Sequence, residues 1–295
     1  FINTDFKLGL DLKGGSQLTL QLMKKDSKVT SEELESVKSV LDRRVNKLGV
    51  SEANLQTLGS NQIVVELPDL KNSASAARVL GETAMLEFAI QAPNTSIMYE
   101  KLSNYRNEIE SLLKNYEKEN KTILSFNTEE NIRKYLKTVE EDLKYQTNID
   151  YNYHNKLIDL DSYIKKEIAK LFIKTDLTGK YLIGAGRNQQ QTNSNWEVSL
   201  TFNKEGGEKF ANITKSVAGK EILLGIILDD EIISEASVSS EYEKSGITGG
   251  TAVISSSTFN AETAKELEVK LRGGSLPIPI KIIESNTIGP LLGTK

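Results

Sequence analysis

The sequence predicts an α+β fold in which a ferredoxin-like, split βαβ base carries an inserted α+β head, the head in turn bearing a helical-bundle insertion. Three observations lead there. Residues 1–91 follow a β-α-β-β-α-β rhythm, residues 92–174 form a glycine-free stretch of helical stripes, and alternating strands return after Leu177.

Leu18, Leu20 and Leu22 alternate with Thr19 and Gln21, the period of a half-buried strand. Thr30-Ser31-Glu32-Glu33 is a capping box, a hydroxyl followed three residues on by a carboxylate. Leu34, Val37, Leu41, Val45 and Leu48 then share one helix face, and Gly49 supplies the left-handed stop. Strands are expected at 54–58 and 62–67, the second ended by Pro68. An alanine-rich helix at 73–80 leads to a strand with Leu86, Phe88 and Ile90 inward, closing the split βαβ unit.

The next segment holds three stripes at helical spacing: Leu102 to Tyr116, Ile132 to Leu143 and Leu157 to Leu171. Pro93 is its only proline, so three long helices packed as an antiparallel bundle are expected. Eight of the ten tyrosines lie between Tyr99 and Tyr163. An aromatic surface for gripping extended peptide is one reading; tyrosines filling stripe positions and helix margins is the favoured one. Beyond Leu177, Trp196 to Phe202 reads as a strand and 204–217 as a helix. A hairpin of 222–228 and 232–238 turns at Asp229-Asp230-Glu231. A strand at 252–256, a helix opened by Phe259-Asn260-Ala261 and ended at Gly273-Gly274, and a strand through Ile278, Ile280 and Ile282 complete the chain.

Composition bounds the chemistry. The 295 residues carry 37 basic and 41 acidic side chains, a net charge of −4, which is no footprint for nucleic acid or a polybasic membrane patch. Cysteine is absent, which excludes disulfides and thiolate chemistry within the chain. No stretch approaches the roughly 18 apolar residues that span a bilayer. The chain opens at Phe1 with no visible signal peptide, and reads as a piece of something longer.

The single histidine, His154, is expected in an interhelical loop, so zinc sites and Ser-His-Asp triads cannot be assembled from this sequence. Asp229, Asp230 and Glu231 are adjacent carboxylates, but a hairpin turn favours aspartate for backbone reasons. Gly184-Ala185-Gly186 lacks the third glycine of a dinucleotide fingerprint. No catalytic, cofactor-binding or metal-binding residue is singled out, and a binding or mechanical role is expected.

Two segments resemble signatures of the SecD family of protein-export membrane proteins. One is Leu8-Gly9-Leu10-Asp11-Leu12-Lys13-Gly14-Gly15; the other runs from Leu271-Arg272-Gly273-Gly274-Ser275-Leu276-Pro277-Ile278-Pro279 to Thr287-Ile288-Gly289-Pro290. Leu41-Asp42-Arg43-Arg44-Val45-Asn46-Lys47-Leu48-Gly49, Leu177-Thr178-Gly179-Lys180 and Val198-Ser199-Leu200-Thr201-Phe202 are similar to further family blocks. The resemblance implies the large first extracytoplasmic (periplasmic) domain of such a protein, with Gly9, Asp11, Gly14, Gly15, Arg272, Gly273, Pro277, Gly289 and Pro290 fixing how it joins the membrane part. It implies a membrane-proximal base of residues 1–91 and 259–295 and an inserted head of 92–258, divided into a helical insertion (92–174) and a strand-rich part (175–258). Hinges would fall near Gln91, Pro93 and Phe259.

The resemblance further implies a non-enzymatic factor that binds unfolded, translocating preprotein and assists export driven by the proton-motive force. SecF and the SecYEG translocon would be its partners, and transmembrane helices absent from this chain would hold it in the membrane. No cofactor is implied. Two other readings compete: a hydrolase using carboxylates in a cleft, and an adaptor docking a partner through its helical bundle. The export reading requires that the two ends of the base emerge on the same side.

Overall fold

The computed structural model describes residues 10, 14–24, 28–50, 53–70, 73–118, 126–145, 153–190, 195–256 and 259–289. By contact the chain divides into two units. The first comprises Phe1–Leu86, Leu177–Ala211 and Ile247–Lys295, and the second Glu87–Asp176 and Asn212–Gly246. Residues 177–211 and 247–256, expected in the head, thus group with the segments expected in the base.

The first unit starts with β1 (Gly15–Leu22), α1 (Ser31–Leu48), β2 (Asn54–Leu58), β3 (Gln62–Pro68) and α2 (Ser73–Gly81). The capping box forms as its residue types require. Thr30 Oγ1 accepts from the Glu33 amide at 3.2 Å, and the Glu33 carboxylate accepts from the Thr30 amide at 2.9 Å. At the other end Gly49 sits at φ 85°, where a side chain would be strained. Leu18, Leu20, Ile63, Val65, Leu67, Val37, Leu41 and Val45 are fully buried between the sheet and the helices.

The sheet runs β11-β1-β3-β2, where β11 is the strand Ile280–Ile288. This corrects the expected closure of the split βαβ unit. The strand following α2, β4 (Leu86–Gln91), is absent from this sheet, and β11, from the far end of the chain, pairs with β1 instead. The reason lies in the side chains. Leu86, Phe88, Ala89 and Gln91 are all buried, so β4 presents burial on both faces and suits the interior of a sheet. In β11, Lys281 and Ile283 to Thr287 are exposed, which suits an edge.

A second sheet of the same unit has the order β10-β7-β6, built from β6 (Leu182–Gln189), β7 (Trp196–Phe202) and β10 (Thr251–Ser255). The helix α7 (Ala261–Gly273) packs on β6 and β7 and also on α1 and α2, so it belongs to both layers. Arg187 of β6 fixes this packing, its Nη1 donating to the Ala261 carbonyl at 3.1 Å and its Nε lying 3.6 Å from the Glu268 carboxylate.

The second unit holds three helices, α3 (Ser96–Lys118), α4 (Phe126–Leu143) and α5 (Tyr153–Ala169), and a sheet of order β5-β4-β8-β9. In that sheet β5 is Phe172–Thr178, β8 Leu224–Leu228 and β9 Glu231–Ala236, while α6 (Lys204–Val217) runs from one unit's residues into the other's. Leu102, Ile109, Ile132, Val139, Leu157, Leu160, Ile164 and Ile168 interleave as the core of the bundle. The tyrosines follow the favoured reading: Tyr99, Tyr105, Tyr135, Tyr145, Tyr153 and Tyr163 pack half-buried against that core. Tyr145 and Tyr163 stack with ring centres 4.0 Å apart. His154 lies in the first turn of α5 rather than in a loop, because its neighbour Tyr153 docks on the core and accepts from Arg133 Nε at 2.9 Å.

Removing the hydroxyl in Thr30→Ala is expected to cost about 1 kcal/mol of stability through the lost cap. Denaturant unfolding of the two chains at one pH measures the difference.

Candidate functional site

Two places in the structure gather chemistry, one in each unit. In the first unit, two segments far from it in sequence, residues 79–83 and Gly274, converge on Arg44. Its side chain is wholly buried in α1, and five backbone carbonyls accept from it. Nη1 donates to Val79 at 2.9 Å, Leu80 at 3.2 Å and Glu82 at 2.5 Å. Nη2 donates to Thr83 at 3.2 Å and Gly274 at 2.9 Å. The first carbonyls are the ones α2 leaves open at its C-terminal end, where helical hydrogen bonding runs out. The guanidinium is therefore a helix cap as well as a cross-link. Arg43 adds a further tie, its Nε donating to the Gly273 carbonyl at 3.1 Å.

Gly273 is dictated by this arrangement. A Cβ there would fall 2.4 Å from Arg44 Cγ, well inside contact distance. Gly15 is under a similar constraint at the other end of the sheet. Its φ is 145°, and a Cβ would meet the Leu67 carbonyl at 2.3 Å. The neighbouring Gly14 carbonyl accepts from the Asp69 amide at 3.0 Å, and Ser16 Oγ donates to the Leu70 carbonyl at 2.6 Å. Gly15 and Gly273 thus act through close packing, and Gly14 through its left-handed backbone, at φ 67°. Arg272 and Pro277 are exposed, Arg272 pairing with Glu268 on its own helix at 2.9 Å. Gly289 follows the last rung of β11, and Gly9, Asp11 and Pro290 lie outside the described residues.

Beside the arginine, α7 is tied to α2 by charge. Glu266 is buried and accepts from Ser75 Oγ at 2.7 Å and Arg78 Nη2 at 2.8 Å. Burial pushes its carboxyl up, but the hydrogen bonds from Arg78 and Ser75 outweigh this and hold it below its ordinary value of 4.5. Lys270 Nζ reaches the Glu82 carboxylate at 2.5 Å, next to the carbonyl that Arg44 holds.

In the second unit a groove of about 650 Å³ lies along the C-terminal half of α5. Half-buried Tyr163 lines it over the buried Ala169, Phe172 and Ile227, and Lys166, Glu167, Lys170, Lys174 and Asp230 supply the charged residues around it. Those charges are paired locally. Lys170 sits 2.5 Å from Glu167, Lys174 lies 2.6 Å from Glu87 and 3.2 Å from Asp230, and Lys166 lies 3.5 Å from Glu231. The volume is that of a ligand-sized site. The carboxylates singled out in the sequence are here, but as turn residues: Asp229 and Asp230 have φ of 50° and 66°, as a two-residue hairpin of primed type requires.

No group of three side chains able to hold a metal occurs among the described residues, and no described helix is long and apolar enough to cross a membrane. Of the positions expected at hinges, Gln91 is buried in the second unit. It is tied to Leu223 by its amide, at 2.9 Å, and by its side-chain carbonyl, at 3.3 Å. Pro93 is exposed in the same unit, and Phe259 is half-buried in the first. Of the groove residues, Tyr163 belongs to the tyrosine cluster of the sequence, read mainly as stripe and margin filling, while Phe172 and Ile227 carry no signal of their own. Those two read as ordinary core, and the groove lies where α5 ends beside β5.

Two outcomes follow. Alanine in place of glycine normally stabilises a helix by up to about 1 kcal/mol. Gly273→Ala is expected to do the reverse and cost about 1–3 kcal/mol through overpacking against Arg44, measured by denaturant unfolding. Glu266, with its folded value depressed, contributes stability that is present above the unfolded value and lost as pH falls through the folded one. Below pH 4.5 the parent chain should therefore lose stability more steeply than Glu266→Gln; equal slopes would show that the contact is electrostatically silent.

Comparison with known proteins places these features in a family. Three family models match: "SecD/SecF GG Motif" over residues 6–22, "Protein translocase subunit SecDF, P1 domain, N-terminal" over 34–93, and "SecDF, P1 head subdomain" over 158–278. The chain is 48% identical to the protein translocase subunit SecD of Prochlorococcus marinus, over 99% of this chain and 59% of that protein. It is 37% identical to SecD of Synechocystis, over 99% of this chain and 57% of that protein. It therefore spans a little under three fifths of the length of these relatives. The fold is similar to a crystal structure of SecDF in a super-membrane-facing form, with a TM-score of 0.62 and 29% identity over 96% of this chain and 32% of that one. A second SecDF structure, of a membrane component that enhances protein export, matches with a TM-score of 0.56 and 27% identity over 91% of this chain and 98% of that one. On these matches the chain belongs to the SecD family, as its P1 domain.

Proposed function

We propose that this chain takes up unfolded polypeptide during Sec-dependent export, on the extracytoplasmic side of the membrane, in a protein that works with SecF and SecYEG and draws on the proton-motive force. The observation that carries the reading is the groove beside α5. Its surface is apolar, its volume of about 650 Å³ accommodates several side chains, and its surrounding charges neutralise one another. Such a groove favours apolar side chains of an extended chain without demanding a particular charge. Contacts of this kind are small and reversible, as a factor that must release its substrate needs.

The register of the first sheet supports attachment through two adjacent connections. Gly15 lies opposite Ile288, so the strand that opens the unit and the strand that closes it meet side by side. This adjacency suits membrane-junction roles for Gly14, Gly15 and Gly289, whereas Arg272, Gly273 and Pro277 precede β11 at its opposite end. The competing hydrolase reading finds less support, since Asp229 and Asp230 serve a backbone turn and Glu266 is bound by Arg78 and Ser75.

The test is site-specific photo-crosslinking. A benzoylphenylalanine replaces Tyr163 in the groove or, as control, exposed Ile283 of β11, and each chain is illuminated with an unfolded secretory polypeptide and with its folded form. Crosslinks from position 163 to the unfolded form alone are expected; equal labelling at both positions, or none at 163, would remove the groove from the reading.

A further inference from the structure

The strand β11 is one of the two edge strands of its sheet, and it is the one that borders the central strand β1. It occupies an edge, with a single ladder to β1 running from Gly15 opposite Ile288 to Leu22 opposite Ile280, interrupted by a bulge at Ile283. Its partner β1 is bonded on both sides and has Leu18, Leu20 and Leu22 in the core, whereas β11 exposes Lys281 and Ile283 to Thr287. Only Ile280, Ile282 and Ile288 are half-buried, Ile282 resting over Gly81 at the end of α2. Nine residues are thus attached by backbone bonds and little apolar burial.

Just before β11 the attachment changes character. Met23 donates to the Pro279 carbonyl at 2.8 Å, Leu276 donates to the Thr83 carbonyl at 2.8 Å, and Ile278 and Leu276 are buried. One residue pair further back, the Gly274 carbonyl is bound by Arg44. The chain is pinned there by apolar burial and by a charged donor that also holds α2.

Geometry then decides how the strand responds to load. Because the pair is antiparallel and Gly15 faces Ile288, tension that separates these two neighbouring ends falls on one rung at a time, not on the whole ladder in shear. We propose that β11 is a releasable strap, peeling from β1 as a unit from the Ile288 end and stopping at the anchor formed by Ile278, Leu276 and the Arg44-bound Gly274. Its release uncovers the edge of β1 while α1, α2, β2 and β3 stay folded, which gives the domain a second state of defined extent. The proposal is independent of what the groove binds.

Native-state hydrogen exchange tests it on the chain as it stands. The amides of β11 that donate into β1 are expected to share one opening reaction, with a common denaturant dependence and protection at least about 100-fold below that of Ile63 to Leu67 in β3. The amides of Gly274 and Leu276 should keep the protection of β3. The sequence contains no cysteine, so Gln17→Cys with Asn286→Cys, which face each other in the register, introduces a unique pair. Oxidation should raise β11 to the protection of β3, and reduction should restore the difference. The proposal falls if β11 in the parent chain already matches β3. It falls equally if protection is lost only within two residues of Ile288, as in end fraying, or if Gly274 and Leu276 open together with the strand. The parent pattern decides the matter alone should the cysteine pair fail to fold.

Discussion

A buried guanidinium needs acceptors from every direction, and this requirement organises the first unit. A charge placed out of water is tolerated only when its hydrogen bonds are made. The two terminal nitrogens of Arg44 meet this with carbonyls at positions 79, 80, 82, 83 and 274. Since α2 leaves such carbonyls open at its end, the cost of burying the arginine and the cost of ending the helix offset each other. The aliphatic stem of Arg44 fills the place where residue 273 would carry a Cβ, so the glycine follows from the arginine. The arginine and glycine blocks of the sequence are two halves of one contact.

That contact also accounts for the topology. With residues 79–83 fixed to Arg44, the chain leaves α2 in a set direction and enters β4, a strand whose burial on both faces suits another sheet. The place beside β1 is left for a strand arriving from elsewhere. Gly274, held by the same guanidinium, directs the chain leaving α7 into Leu276, Ile278 and then β11. One side chain therefore sits where the chain departs from the sheet and where it returns to complete it.

Much of this fold was legible in the sequence wherever a local rule and the tertiary structure agree. The helix from Ser31 to Leu48 was readable to the residue, because Thr30, Glu33 and Gly49 specify its ends by local hydrogen bonding. The bundle stripes and the Asp229-Asp230 turn were readable for the same reason. The strands β5 and β6 were not. β5 exposes Ile173, Lys174 and Asp176 between its buried ends, and β6 contains two glycines and few apolar residues, so neither carries a period-two signal. The exchange of β4 for β11 was invisible too, since strand pairing between residues 15 and 288 is a long-range choice that local periodicity does not encode. The blocks at Arg43-Arg44 and Gly273-Gly274 stand out in the sequence, but their meeting does not, for a buried arginine on a helix reads in sequence as an exposed one. The groove left no mark because a cavity is made by what its neighbours fail to fill.

The second unit solves a different problem: attaching long helices to a sheet without covering all of it. The carboxylates of β9 provide the attachment. Glu235 pairs with Arg106 of α3 and accepts from Tyr99, while Glu231 accepts from Ser162 of α5. Both are partly shielded, so these charge-assisted bonds are stronger than exposed ones and directional. They fix two helices along the β9 side of the sheet. Towards β5 the helix α5 ends at Ala169, and the chain turns into β5 at Phe172. A helix that stops there leaves a groove at half-buried Tyr163, floored by the buried Phe172 and Ile227, and the lysines beside it are neutralised by Glu167 and Glu231. The apolar groove thus arises from where polar tethers hold the helices, and its lack of a net charge demand follows from the same pairing.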